Sequence, residues 1–160
     1  MMPEAWYPFF EWCEDTLLGT VVRESIYAFP LIEATHLVAL CVLGGALIVV
    51  DLRMLGLGMR DQEISALADA VRPWLVAAVA VMLGTGVLLF LAEAIKCFYN
   101  TSFAVKMLTL PVALAFTFGV RDRRWLLEGL ETSMRSRLVG SASLVLWLVV
   151  AAAGRWIGYS

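Results

Sequence analysis

Four long apolar stretches limit what this chain can fold into: residues 30–50, 74–95, 103–120 and 138–157. Each is close to the ~20 residues that cross a ~30 Å hydrocarbon core at 1.5 Å per residue. Leu, Val and Ala fill them without the strict alternation of a barrel strand. A helix satisfies its own backbone groups in lipid, so the expected fold class is all-α. Only 16% of the 160 residues are charged, against about 25% in a soluble domain. Four spans joined by short loops predict an up-down-up-down four-helix transmembrane bundle, a single membrane domain over residues 1–160.

Basic residues give the expected orientation. Arg53, Arg60 and Arg72 follow the first span, and Arg121, Arg123, Arg124, Arg135 and Arg137 follow the third. These eight of the twelve Lys and Arg belong to the two loops on one side of the membrane. By the positive-inside rule that side is the cytoplasm, with both termini outside a bacterial inner membrane. The net charge of −2 and the lack of a basic stripe interleaved with aromatics give no sign of nucleic-acid binding.

Residues 1–25 do not read as a signal peptide, because Glu4, Glu11, Glu14 and Asp15 stand where a basic region belongs. Trp6, Tyr7, Phe9, Phe10, Trp12 and Leu17 instead suggest a short amphipathic interfacial helix. It is either a simple anchor or a lid over an outer-facing pocket. Cys13 and Cys97 both fall on the expected outer side, where a disulfide is an open option, and Cys41 reads as a small apolar residue.

The loop over residues 51–71 contains Ile64, Leu67, Ala68 and Val71, the spacing of a short amphipathic helix. Pro73 and Trp74 are expected to start the second span, and Pro30 to open or kink the first. Trp125, Leu126, Leu127 and Leu130 predict another short helix in the second loop. Gly44, Gly45, Gly84, Gly86 and the pair Gly154 and Gly158 suit close helix packing, a homo-oligomer contact, or the face of a flat cofactor.

Ionisable residues within the spans are the best functional clue, since each costs roughly 2.5–3.5 kcal/mol in lipid by insertion scales. His36, the one histidine, stands about 9 Å below the outer end of the first span, with Glu33 a turn before it. Lys106 in the third span and Glu93 in the second fall in the same outer layer. One reading is an internal network, Glu33 or Glu93 paired with Lys106 and His36 beside them. A second makes His36 the axial ligand of a haem iron, with water, Met107, Lys106 or a second subunit's histidine as sixth ligand, or Lys106 on a propionate. A third, non-haem metal site is weaker: Glu33-x-x-His36 has no second copy in the chain, and there is no clustered Met motif for copper. Zinc-protease, P-loop, dinucleotide and Ser-His-Asp signatures are absent.

The runs Leu18-Gly19-Thr20, Arg23-Glu24-Ser25, Pro30-Leu31-Ile32-Glu33, His36-Leu37 and Asp51-Leu52-Arg53 resemble an uncharacterised bacterial family of small four-helix membrane proteins. Pro73-Trp74, Gly84-Thr85-Gly86 and Phe103-Ala104-Val105-Lys106 continue the resemblance. More remotely, the layout is similar to the membrane protoporphyrinogen oxidase of bacterial haem synthesis and to copper-resistance membrane proteins. That similarity implies haem b, with His36 and Lys106 in the places of the oxidase's essential His and Lys. It also matches Arg53 to an Arg at the end of the oxidase's first span. The added acidic, aromatic N-terminal segment and Glu33 depart from that pattern.

The resulting expectation is a b-type haem protein in electron transfer or oxidation, with a membrane quinone as a plausible electron partner. His36 would be the metal ligand, and Lys106, Glu33, Glu93 and Arg53 would complete the cofactor site. The competing class is a non-enzymatic accessory subunit of a larger membrane complex. A transporter or proton pathway ranks last, because the middles of the spans are almost wholly apolar.

Overall fold

The computed structural model describes residues 3–122 and 134–159. It is an all-α four-helix bundle, with no strand among the described residues. A turn at Glu4–Trp6 leads into α1 (Tyr7–Glu14) and α2 (Leu17–Glu24). The long helices are α3 (Ala28–Leu55), α4 (Ile64–Ala92), α6 (Thr101–Phe116, continued as a π-turn over Thr117–Arg121) and α7 (Met134–Ile157). A short α5 (Ala94–Tyr99) joins α4 to α6. All four long segments are long and apolar enough to cross a membrane, as expected of a multi-pass membrane protein. The helix expected around Trp125 to Leu130 lies outside the described residues.

The helices are longer than the apolar stretches alone suggested. The expected loop helix over residues 51–71 is no separate element: α3 runs to Leu55, and α4 starts at Ile64 and continues through Pro73. Packing explains this fusion. Ile64 and Ala68 bury against Val50 and Met54, extending the α3–α4 interface beyond the apolar spans. Gly56 ends α3 at φ 75°, with Leu57 N–H donating to the Leu52 carbonyl at 3.0 Å. That is a left-handed cap, for which glycine has no Cβ penalty. Pro30 is the third residue of α3, within the first turn where a missing N–H is harmless.

Local capping fixes the other end of the bundle, which carries both termini. Asn100 Oδ1 accepts from Ser102 N–H at 2.9 Å and Phe103 N–H at 3.3 Å, starting α6. Its Nδ2 donates to the Ile157 carbonyl at 3.3 Å and ties α6 to the end of α7. Glu93 breaks the helix at φ −134°, ψ 40°, so the second span ends at Ala92 rather than at residue 95. Glu14 Oε2 then accepts from Ile95 N–H at 2.6 Å, so α1 is fastened to the start of α5.

The N-terminal segment is more than an aromatic stripe on a lipid surface. Phe10 and Cys13 are buried with Ala94, Cys97 and Phe98, and Tyr7, Phe90 and Phe103 pack around them. Gly19 presses α2 onto α4, where an added Cβ would lie 2.5 Å from the Leu91 carbonyl oxygen. Such contact requires glycine.

In the bundle, α3 packs on α4 and on α7, and α7 packs on α6. Leu43, Leu47, Leu75, Ala113, Trp147 and Val150 form the shared core. The fourth side of the square, between α4 and α6, holds a cavity.

Candidate functional site

That cavity has a volume of about 470 Å³. Size and lining suit a small-molecule or cofactor pocket, which is usually apolar with a few placed polar groups. Val79, Met82, Gly86 and Phe90 of α4 form one wall, Phe103, Met107, Leu110 and Leu114 of α6 the other. His36 and Leu43 of α3, with Trp147 and Val150 of α7, form the back. Trp6 of the N-terminal turn and Phe9 and Phe10 of α1 line the terminal end. Counting rises along α4 and α6, the cavity reaches from about 3 Å to about 20 Å below the terminal ends of those helices.

Two polar side chains face this apolar space: His36 and Lys106. They come from helices that share no direct loop; the sequence puts them in one layer, and the bundle brings them to one chamber within a single chain. His36 Nδ1 is 2.8 Å from Thr85 Oγ1 on α4. Thr85 donates its single hydroxyl hydrogen to the Val81 carbonyl at 2.6 Å, so its oxygen accepts from the imidazole. The neutral ring is therefore protonated on Nδ1, and Nε2 keeps its lone pair. That lone pair meets no donor among the described residues. An imidazole oriented by a hydrogen bond on one nitrogen and open on the other is the usual state of a metal-binding histidine.

Gly86 makes room for the ring, since a Cβ there would stand 3.4 Å from His36 Cε1. Gly154 does the same for the lysine, with a Cβ position 3.4 Å from Lys106 Nζ. These two glycines pack against the site's polar side chains, whereas Gly44, Gly45 and Gly84 face open space. No carboxylate pairs with Lys106 among the described residues.

The other three residues of the expected site are elsewhere. Glu33 is exposed on α3, because a three-residue step turns it about 60° away from His36. Glu93 pairs with Lys96 at 3.4 Å and lines a separate charged groove with Glu14 and Arg23. Arg53 lies seventeen residues along α3 from His36, about 25 Å away at the opposite end. Its Nε donates to the Gln62 carbonyl at 2.6 Å, holding the α3–α4 loop.

Sequence reasoning missed a second polar cluster, buried at that loop end. Arg121 donates to Asp51 Oδ1 at 2.6 Å and to the Leu47 carbonyl at 3.2 Å. Ser143 donates to Asp51 Oδ2 at 2.7 Å, and Trp147 Nε1 donates to Thr117 Oγ1 at 2.9 Å. Just beyond the span, burial pushes the Asp122 carboxyl up, against the opposing pull of Arg121 and Arg72. Asp51 was visible as an acid at a span end; its partner read only as one of the cytoplasmic arginines. Thr85 was likewise visible between Gly84 and Gly86, but only the fold places it on the histidine.

All three cysteines are free, Cys13 and Cys97 in one aromatic cluster. The Cys97 thiol, on α5 outside the spans, is pushed up to about 11 by burial and then by the charge of Glu93. No curated protein and no solved structure matches the chain. A family of unknown function, DUF6644, matches residues 9–160, and with nearly its whole length covered the chain belongs to that family.

Proposed function

We propose that this chain is a b-type haem-binding inner-membrane protein engaged in electron transfer or oxidation. One observation carries the reading: a single apolar chamber contains an imidazole whose Nε2 lone pair meets no donor, and an ammonium that meets no carboxylate, among the described residues. A metal-bearing ring with acidic side arms satisfies both groups. His36 is suited to the iron, and Lys106 to a propionate carboxylate. Bound haem would supply one-electron redox chemistry.

The chain's own residues set the conditions for that chemistry. Thr85 holds the imidazole in the tautomer that presents Nε2. Phe90 and Phe103, stacked with centroids 5.5 Å apart, and Phe10 against both of them make the terminal end apolar and aromatic. Met82 and Met107 line the same chamber and would offer it soft thioether donors. In this reading the terminal end faces outward, and a membrane quinone is the electron partner.

The test is an absorption spectrum of protein purified in mild detergent with haem available, air-oxidised and then reduced with dithionite. A Soret band with reduced α and β bands, lost in His36→Ala, is the expected result. A featureless spectrum from well-folded protein overturns the reading and favours an accessory subunit of a larger membrane complex.

A further inference from the structure

The cavity has a side that none of the described residues covers. Leu83, Val87 and Met107 line it, yet they are 47%, 56% and 48% exposed. They belong to α4 and α6, the two long helices whose facing sides flank the chamber and meet at the Phe90–Phe103 stack. The terminal end carries the Phe90–Phe103 stack, with Phe10 set edge-on against Phe90 at 5.5 Å. Trp6 and Phe9 lie over the same end. The terminal end is thus lined by aromatic rings, and the side between α4 and α6 faces hydrocarbon.

We propose that the cavity loads sideways from the bilayer, through the cleft between α4 and α6, and that its occupants are lipid-soluble molecules. An acyl chain of a membrane phospholipid fills the cleft when no ring ligand is bound. Depth supports this. The rim at Val87 and Met107 lies about 8–9 Å below the terminal ends of α4 and α6, beneath the headgroup layer. The lining offers no polar group except His36 and Lys106, so an acyl chain desolvates nothing along the cleft. Those two side chains stand at the back, where a ring with one metal or donor and one acid group would stop. The inference rests on the ligand-site reading of this cavity but not on haem.

Trp147 is a natural reporter. It lines the chamber, is 8% exposed, and lies about 15 Å from the end of α7, at the depth of acyl-chain ends. The experiment uses the full chain without haem, in bilayer discs of phosphatidylcholine brominated in the lower third of its acyl chains. Trp6, Trp12, Trp74, Trp125 and Trp156 are changed to Phe, which leaves Trp147 as the one tryptophan. A reference chain carries Trp147→Phe and Leu148→Trp instead, reporting from a lipid-facing position that is 69% exposed.

Trp147 emission should fall at least two-fold relative to unbrominated lipid, within about two-fold of the reference, and iodide in the water should leave it unchanged. Met107→Phe, narrowing the rim, should remove more than half of that quenching without affecting the reference. Val87→Phe provides the same check from the opposite wall. Trp147 unquenched beside a quenched reference overturns the proposal, as does quenching by iodide alone. Quenching unaffected by either rim variant in chains of native helicity overturns the α4–α6 route. A missing Soret band leaves all of these outcomes readable, so failure of the haem reading and failure of lateral loading are separate results.

Discussion

Arg121 and Asp51 form an ion pair at 2.6 Å with both side chains no more than 1% exposed, where the π-turn ending α6 crosses the last third of α3. Asp51 is fully hydrogen-bonded by Arg121 and Ser143, and Arg121 reaches back to the Leu47 carbonyl. The pair joins three helices at one level. Its net contribution is modest, because desolvation offsets most of the attraction.

Removing one partner is a different matter: Arg121→Met strips the buried Asp51 carboxylate of its cation, and Asp51→Ala leaves the buried Arg121 with only Asp122, at 3.1 Å, as a carboxylate partner. Asp51→Ala or Arg121→Met should each cost about 3–5 kcal/mol. The double change Asp51→Leu with Arg121→Met should recover most of that loss. Thermal melts in detergent, followed by helical circular dichroism, measure both. Equal losses in the single and double variants would show that the pair acts through something other than its charges.

Lys106 tests the opposite case, a cation with no carboxylate partner among the described residues. In the ligand-free protein its ammonium opposes the apolar wall around it, so Lys106→Met should raise stability by about 1–2 kcal/mol. The same change should weaken binding of an acid-bearing ligand. A destabilised Lys106→Met variant would reveal a structural partner and favour the internal-network reading over the cofactor one.

Much of this architecture was legible because lipid leaves few options. Four apolar stretches meant four helices, and the depth of His36 and Lys106 placed them in one layer. Glu33 and Glu93 shared that layer but not the chamber, because depth fixes height and not direction. An angular offset on α3 and a helix break before α5 took them elsewhere. Arg53 and Arg121 illustrate a related limit. Both looked like loop charges, yet one braces a loop through backbone carbonyls and the other is buried against Asp51. Only the packing of α3 and α6 on either side of α7, which brings Arg121 over Asp51, distinguishes them.

Close approach of helices gives a third prediction. At Gly19 a Cβ would meet the Leu91 carbonyl oxygen at 2.5 Å and the Glu14 carbonyl oxygen at 2.9 Å, both backbone atoms that cannot swing aside. Gly19→Ala should therefore cost about 1–3 kcal/mol. It should also loosen the N-terminal segment, seen as faster protease cleavage before Ala28. Gly44→Ala, where a Cβ meets nothing within 4 Å, is the control and should be near neutral.

The Cys97 thiol gives a pH dependence with a defined sign. Its folded-state value is about 11, above the ordinary 9.0, so the folded protein holds the proton to higher pH than the unfolded chain. Stability is then unaffected below about 9 and falls as pH rises from about 9 towards 11. Melting temperature measured across that range should decline, and Cys97→Ala should flatten the decline whatever it does to the absolute value. A slope unchanged in Cys97→Ala would assign the effect to another group.

Thr85 decides the last prediction. Its hydroxyl orients His36 and commits the ring to presenting Nε2, while its own hydrogen goes to the Val81 carbonyl. Thr85→Val keeps the shape and removes the acceptor, so the ring can rotate or exchange tautomers. On the proposed function, haem affinity should fall about 10–100-fold, the usual effect of losing a hydrogen bond behind a histidine ligand. The fold should be retained, because Thr85 is only half-buried on α4. Haem titration followed at the Soret band reads this directly, and Thr85→Ser, which restores the acceptor, should recover most of the affinity. Equal affinity in all three chains would mean that His36 is not held by α4 when the ligand is bound.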